Sequence, residues 1–160
     1  MIEINLNNLA FQVVEKLSEK KLTIATAESL TAGLVSSQLA EITGASKVLK
    51  GGIVAYQNEI KEKVLNIDPQ IIIKHSSVSK EVALLMAENV RKLLEADVGV
   101  STTGVAGPTT MGNKKVGTVL VAISFKDHNM CHELNLTGDR QAIRQESCNK
   151  LFQLILEKLV

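Results

Sequence analysis

The sequence predicts a three-layer α/β/α sandwich on a mostly parallel, partly mixed sheet, formed by one domain over residues 1–160. Three observations lead there. Helical and extended patterns alternate along the chain, with helices before and between the strands. No linker, repeat or low-complexity segment interrupts them. One turn, Lys126-Asp127-His128-Asn129, joins two apolar strands directly and so adds an antiparallel pair to the sheet. With 45% of residues hydrophobic, the chain has enough apolar side chain for a real core.

The elements follow in order. Apolar residues at helical spacing predict an amphipathic helix over Leu6 to Glu19, and the run Leu22 to Ala27 predicts a buried strand. A second helix carries Leu34, Val35, Leu39 and Ile42 and is closed by Thr43-Gly44 in the manner of a C-cap. Val48 to Tyr56 reads as a strand interrupted by Gly51-Gly52, followed by a short helix from Asn58 to Leu65. Pro69 opens an irregular segment. Ser79 caps the most regular helix, whose inner face holds Val82, Leu85, Met86, Val90, Leu93 and Leu94. Strands are expected over Asp97 to Thr103, Val116 to Phe125 and Met130 to Thr137, and a last helix starts near Asp139.

Composition excludes several functions. A net charge of +1 creates no general field for nucleic acid, and 2% aromatic residues leave few platforms for stacking bases. No apolar run reaches membrane-spanning length, and Met1-Ile2-Glu3-Ile4-Asn5 lacks the basic and apolar blocks of a signal peptide. The expected location is the cytoplasm, where Cys131 and Cys148 would be reduced thiols. Those cysteines and His75, His128 and His132 form no metal-ligand spacing, so neither a metal nor another cofactor is expected. Sheet edges and apolar helix faces in a domain of this size are compatible with a homodimer.

Four segments hold candidate chemistry. In Thr26-Ala27-Glu28-Ser29-Leu30-Thr31-Ala32-Gly33 a buried strand delivers Ser29 to the turn where a helix should begin. Ser29 reads either as a helix cap or as a nucleophile facing unpaired helix-start N–H groups. In Gly51 to Lys61, Tyr56 ends a strand, and with Asn58 as the cap Lys61 falls in the first helical turn, the wrong end of the dipole for a cation. Lys61 reads as a solvated partner of Glu59 or Glu62, or as a neutral base that burial would have to produce. Tyr56, the one tyrosine, also fits a core position with a wet hydroxyl. In Ser101 to Pro108 a strand enters a turn whose Gly104 and Gly107 let backbone approach a phosphate or sugar. Asp139 should cap the last helix, where Arg140 and Arg144, two of three arginines, lie one turn apart and form either a phosphate grip or a solvated face.

Taken together these segments resemble the C-terminal domain of the CinA family, the bacterial nicotinamide-nucleotide amidohydrolases. The resemblance covers nearly the whole chain. It rests on the order A-E-S-x-T-x-G, G-G-x-V-A-Y-x-N-E-x-K, V-S-x-E-V-x-x-x-M-A at Val78 to Ala87, T-G-x-A-G-P, V-G-T-V at Val116 to Val119, and G-D-R with a following arginine. It implies hydrolysis of the carboxamide of nicotinamide mononucleotide to nicotinate mononucleotide and ammonia, without metal, with Ser29 as nucleophile, Lys61 as general base and Tyr56 as its assistant. Substrate contacts are then expected at Leu30, Thr31, Ala32, Gly33, Asn58, Thr103, Gly104, Ala106, Gly107, Arg140 and Arg144. Longer family members carry a molybdopterin-binding-like domain in front, so the resemblance is to the stand-alone form.

Two segments depart from the family pattern. Where the family runs through further glycines to K-P-V-G-T, this chain reads Thr109-Thr110-Met111-Gly112-Asn113-Lys114-Lys115-Val116-Gly117-Thr118. The family's H-G-A-V-S becomes His75-Ser76-Ser77-Val78-Ser79, a change expected to be structural. The altered Thr109 to Lys115 loop leaves open a serine-lysine amidase or esterase for another small amide, and the family's association with competence and DNA-damage induction leaves open a non-catalytic module that serves a recombination partner.

Overall fold

A computed structural model describes residues 6–160; Met1–Asn5, where the signal-peptide reading applies, lie outside the described residues. Helix α1 (Leu6–Lys20), strand β1 (Ile24–Glu28), helix α2 (Leu34–Ala40), strand β2 (Leu49–Val54) and helices α3 (Asn58–Lys63), α4 (Pro69–His75) and α5 (Lys80–Leu93) come first. Strands β3 (Val98–Gly104), β4 (Thr118–Ser124) and β5 (Asn129–Asn135) and helix α6 (Arg140–Lys158) complete the chain. The sheet order is β2-β1-β3-β4-β5.

The predicted sandwich is present, but its sheet is evenly mixed. The β1–β2 and β1–β3 ladders are parallel and the β3–β4 and β4–β5 ladders antiparallel, so β4 alone runs against the other strands. Alternate side chains feed the two faces, as a period of two requires. Ile24, Val98, Val100, Val119, Val121 and Ile123 pack with α1, α2 and α6, while Ala25, Ala27, Leu120 and Ala122 meet the layer that contains α5. Gly99 lets α5 lie close on β3, since a Cβ there would fall 2.1 Å from the Ala87 carbonyl oxygen. No helix among the described residues is long and apolar enough to cross a membrane.

Two helices depart from expectation. Residues 69–75, read as irregular because of Pro69, form α4: Asp68 accepts the Gln70 N–H as N-cap and proline occupies the first turn, where its missing N–H is no loss. Helix α2 begins at Leu34 rather than beside Ser29, after a turn in which Ala32 (φ +47°) and Gly33 (φ +97°) are left-handed. Ser79 and Asp139 do cap α5 and α6, accepting the Val82 and Ala142 N–H groups.

Candidate active site

Strand β1 ends between its two parallel neighbours, which fixes the residue that follows. Ser29 N–H donates to the Thr102 carbonyl at 2.9 Å, and Ala55 N–H donates to the Glu28 carbonyl at 2.9 Å. The serine is thus held just beyond the C-terminal ends of β1 and β2 and beside that of β3, where open α/β sheets bind ligands. From β2 the chain passes through Tyr56 into α3, capped by Gln57 rather than Asn58, and that helix turns Lys61 back under the serine. Lys61 is 1% exposed.

Lys61 Nζ lies 3.1 Å from Ser29 Oγ and donates to the carbonyls of Ala55 at 2.7 Å and Tyr56 at 3.3 Å. No ion pair to Lys61 occurs among the described residues. Burial lowers its pKa from 10.5 to about 8. Desolvation penalises the charged form, and carbonyl dipoles compensate less than a carboxylate would. A neutral amine has two protons and one lone pair, so two carbonyls take the protons and the lone pair is left for the serine hydroxyl. In the ammonium form all three protons are donated, and Ser29 Oγ turns its own toward the Tyr56 carbonyl, 3.5 Å away.

The α2 N-terminus is not open to a substrate. Glu28, 1% exposed, accepts the Val35 N–H at 2.8 Å and the Ser36 N–H at 3.1 Å, and the Thr31 and Ser36 hydroxyls also donate to it. Its carboxylate neutralises the positive end of the dipole that sequence reasoning assigned to an oxyanion. Thr31 Oγ1 also lies 2.7 Å from Thr102 Oγ1, which ties the turn to β3. Of the N–H groups expected to serve an oxyanion, those of Leu30 to Ala32, the Ala32 N–H is already given to the Ser29 carbonyl; the Leu34 N–H that follows goes to the Thr31 carbonyl. Among the described residues no acceptor takes the Leu30 or Thr31 N–H.

Tyr56 enters the site through its main chain. Its carbonyl faces Ser29 and Lys61, while its phenol accepts a hydrogen bond from Arg140 Nη2 at 2.7 Å. The expected assistance to Lys61 by the phenol is therefore corrected to a carbonyl contact. Arg140 Nη1 donates to the Gly107 carbonyl at 2.6 Å, which fixes the guanidinium beside the glycine loop. Arg144 goes elsewhere: its Nε donates to the Leu30 carbonyl at 2.8 Å and its Nη2 to the Thr31 carbonyl at 3.0 Å. The two arginines do not converge on one anion.

Two clefts meet at Ser29. One, of about 320 Å³, runs past Tyr56, Gly104, Ala106 and Gly107 to Arg140. The other, of about 430 Å³, holds Asn58, Lys61, Ser77 and Thr103. Met111 lines both, as do Tyr56 and Gly104. A side chain on Gly104 would collide with the next strand, its Cβ 2.7 Å from the Thr118 carbonyl oxygen. Ser77, Thr109, Thr110 and Met111 were absent from the sequence-derived site. Their signal was the departure from the family pattern at both segments. The change at Ser77, expected to be structural, faces the cleft and brings Ser77 Oγ 3.5 Å from Met111 Sδ.

Among the described residues no three His, Cys, Asp or Glu side chains group as metal ligands. Burial pushes the Cys131 thiol up to about 11 and the Cys148 thiol further up, so neither is a ready thiolate.

The model of the CinA C-terminal domain matches residues 6–159. A Bacillus cereus protein named as competence-damage inducible is 45% identical over 152 residues, 94% of this chain and 37% of that protein. The chain thus spans little more than a third of the length of such relatives. Among solved structures, a CinA superfamily protein of Klebsiella pneumoniae has a TM-score of 0.95 at 26% identity, covering 97% of this chain and 98% of that one. A competence/damage inducible protein of Agrobacterium tumefaciens has a TM-score of 0.93 at 28% identity, covering 98% and 97%.

Proposed function

The chain belongs to the CinA C-terminal domain family, and from that premise we propose that it hydrolyses the carboxamide of nicotinamide mononucleotide to nicotinate mononucleotide and ammonia. The observation that carries this reading is the buried Lys61 amine 3.1 Å from Ser29 Oγ, with no ion-pair partner among the described residues. A pKa near 8 leaves about a tenth of the lysine neutral at pH 7, against about one part in three thousand for a free lysine. That gain of more than a hundredfold makes Lys61 usable as a base.

In the first step Lys61 takes the Ser29 proton as Oγ bonds to the amide carbon, and the carbonyl oxygen becomes an oxyanion. The Leu30 and Thr31 N–H groups are the donors available to it, and such a donor is worth roughly 3 kcal/mol. Collapse breaks the C–N bond, and the Lys61 ammonium protonates the departing nitrogen, which leaves as ammonia. Water then adds to the acyl-serine, gives its proton to Lys61, and nicotinate mononucleotide leaves as Ser29 recovers its hydrogen. Arg140 supports binding of the phosphate in its cleft.

A second reading, a serine-lysine amidase for another small amide, is favoured by one observation: Met111 stands in both clefts where the family pattern has glycines. A purely binding role has less support, because a binding domain has no use for a buried lysine without a counter-ion. The test is ammonia release from nicotinamide mononucleotide by the purified protein, with Ser29→Ala as control. Turnover is expected in the parent and loss of nearly all of it in the variant, with stability within about 2 kcal/mol. A folded parent that releases no ammonia rejects this substrate, and a variant within tenfold of the parent rejects the nucleophile.

A further inference from the structure

Arg144 grips the turn that immediately follows the nucleophile, and peptide geometry converts that grip into an orientation. The Leu30 carbonyl it holds shares a rigid plane with the Thr31 N–H, and the Thr31 carbonyl shares one with the Ala32 N–H. In a trans peptide the two groups point in opposite directions. Both amides therefore face away from the guanidinium. For Ala32 the outcome is visible, since its N–H reaches the Ser29 carbonyl at 3.1 Å. For Thr31 it leaves an N–H beside Ser29 that no protein acceptor takes among the described residues. The turn also contains a left-handed alanine, Ala32 at φ +47°, a conformation that surrounding contacts must hold. Arg144 holds the carbonyl just before it.

We propose that Arg144 is a positioning residue, which by holding the Leu30 and Thr31 carbonyls turns the Thr31 N–H toward the oxygen that becomes charged when Ser29 attacks. Arg144 does not line the Arg140 cleft, so its charge acts through the turn and not on the substrate phosphate. Lysine cannot replace it fully, because an ammonium lacks the fixed fork that spans two neighbouring carbonyls. This inference rests on Ser29 being the nucleophile proposed above.

The test uses a fluorophosphonate, whose phosphorus bonds to Ser29 Oγ while fluoride leaves and Lys61 takes the hydroxyl proton. Its phosphoryl oxygen occupies the place of the oxyanion, so the labelling rate, read by intact mass, reports the oxyanion site without depending on the natural substrate. Arg144→Met is expected to label at least tenfold more slowly, with the pH of half-maximal labelling unchanged, and to recover severalfold in millimolar guanidinium. Arg144→Lys should fall between variant and parent, and it gives the same reading should the methionine variant melt below the assay temperature. With nicotinamide mononucleotide kcat should fall while KM holds. Labelling within threefold of the parent in both variants overturns the assignment, as does a shifted pH midpoint or a raised KM with kcat intact. A parent that labels at Ser29 yet releases no ammonia overturns the substrate reading alone, and a parent that does not label overturns nucleophile and positioning residue together.

Discussion

Lys61 Nζ lies 3.1 Å from Ser29 Oγ, and its other two partners are backbone carbonyls. Carbonyls accept hydrogen bonds from an amine or an ammonium but carry no net charge to favour the ammonium. The lysine can therefore lose its proton near the pH at which it works, which a carboxylate neighbour would prevent.

The first prediction is a pH profile. Because the neutral amine is the base, kcat/KM for nicotinamide mononucleotide should rise with pH, reach half its maximum near 8 and stay level above. Assays across pH 6 to 10 check it, and a profile flat between 7 and 9 would remove Lys61 from the role of base.

The same lysine makes a prediction about stability. Its folded pKa is lowered, so between about 8 and 10.5 the unfolded chain binds more protons than the native one, and stability rises with pH through that window. Below about 8 both states are protonated and the full burial penalty, on the order of 3 kcal/mol, is present. Lys61→Met should remove it while leaving the Ala55 carbonyl unpaired, since the Ser29 hydroxyl can turn to that of Tyr56, a net gain of up to about 2 kcal/mol at pH 7 in an inactive protein. Urea denaturation of both proteins should show the gap narrowing from pH 8 to 10. A variant less stable than the parent at pH 7 contradicts the account.

Tyr56 supplies a third prediction. Its phenol contacts Arg140 and not Lys61 or Ser29, so Tyr56→Phe removes one hydrogen bond to a charged group. Such a bond is worth about 1.5–3 kcal/mol, and because this one is exposed the lower end applies, so its loss should raise KM roughly tenfold. The kcat should stay within about threefold and the pH midpoint in place. A hundredfold loss of kcat would return the phenol to the proton path.

What the sequence made legible was local. The apolar run into Ser29 and the caps Ser79 and Asp139 depend on neighbours a few residues away, and they appear as expected. Helix α4 was also local and was missed because Pro69 was read as a breaker, although an aspartate before a proline is a helix-start signal. The start of α2 was not local in this sense. Glu28 reaches forward from a strand to the amides of Val35 and Ser36, past the span of an ordinary cap, and so closes the helix end that Ser29 was expected to face. Arg140 and Arg144 were legible as a pair at one helix start, but their destinations were not. A step of four residues turns a helix by about 40° and advances it about 6 Å, enough to put one guanidinium in a cleft and the other under a turn. The choice between side chain and carbonyl at Tyr56 likewise depends on how β2 enters α3.

The last prediction separates binding from chemistry at Arg140. Its guanidinium gives one hydrogen bond to the Gly107 carbonyl and one to the Tyr56 phenol, and a guanidinium has five N–H donors. Donors remain for an anion in the cleft that leads to Ser29, and the two existing bonds hold the group in place for it. A charge-assisted contact is worth about 1.5–3 kcal/mol, so Arg140→Ala should weaken nicotinamide mononucleotide by roughly ten- to a hundredfold. Nicotinamide riboside has no phosphate and should be much less affected. The measurement is the ratio of kcat/KM for the nucleotide over the riboside, in parent and variant, with thermal melts to confirm folding. A ratio that falls at least tenfold assigns the phosphate to Arg140. If both substrates fall equally, Arg140 serves to hold Tyr56 and the glycine loop, and the phosphate must be bound by the amides of Ala106 and Gly107 instead.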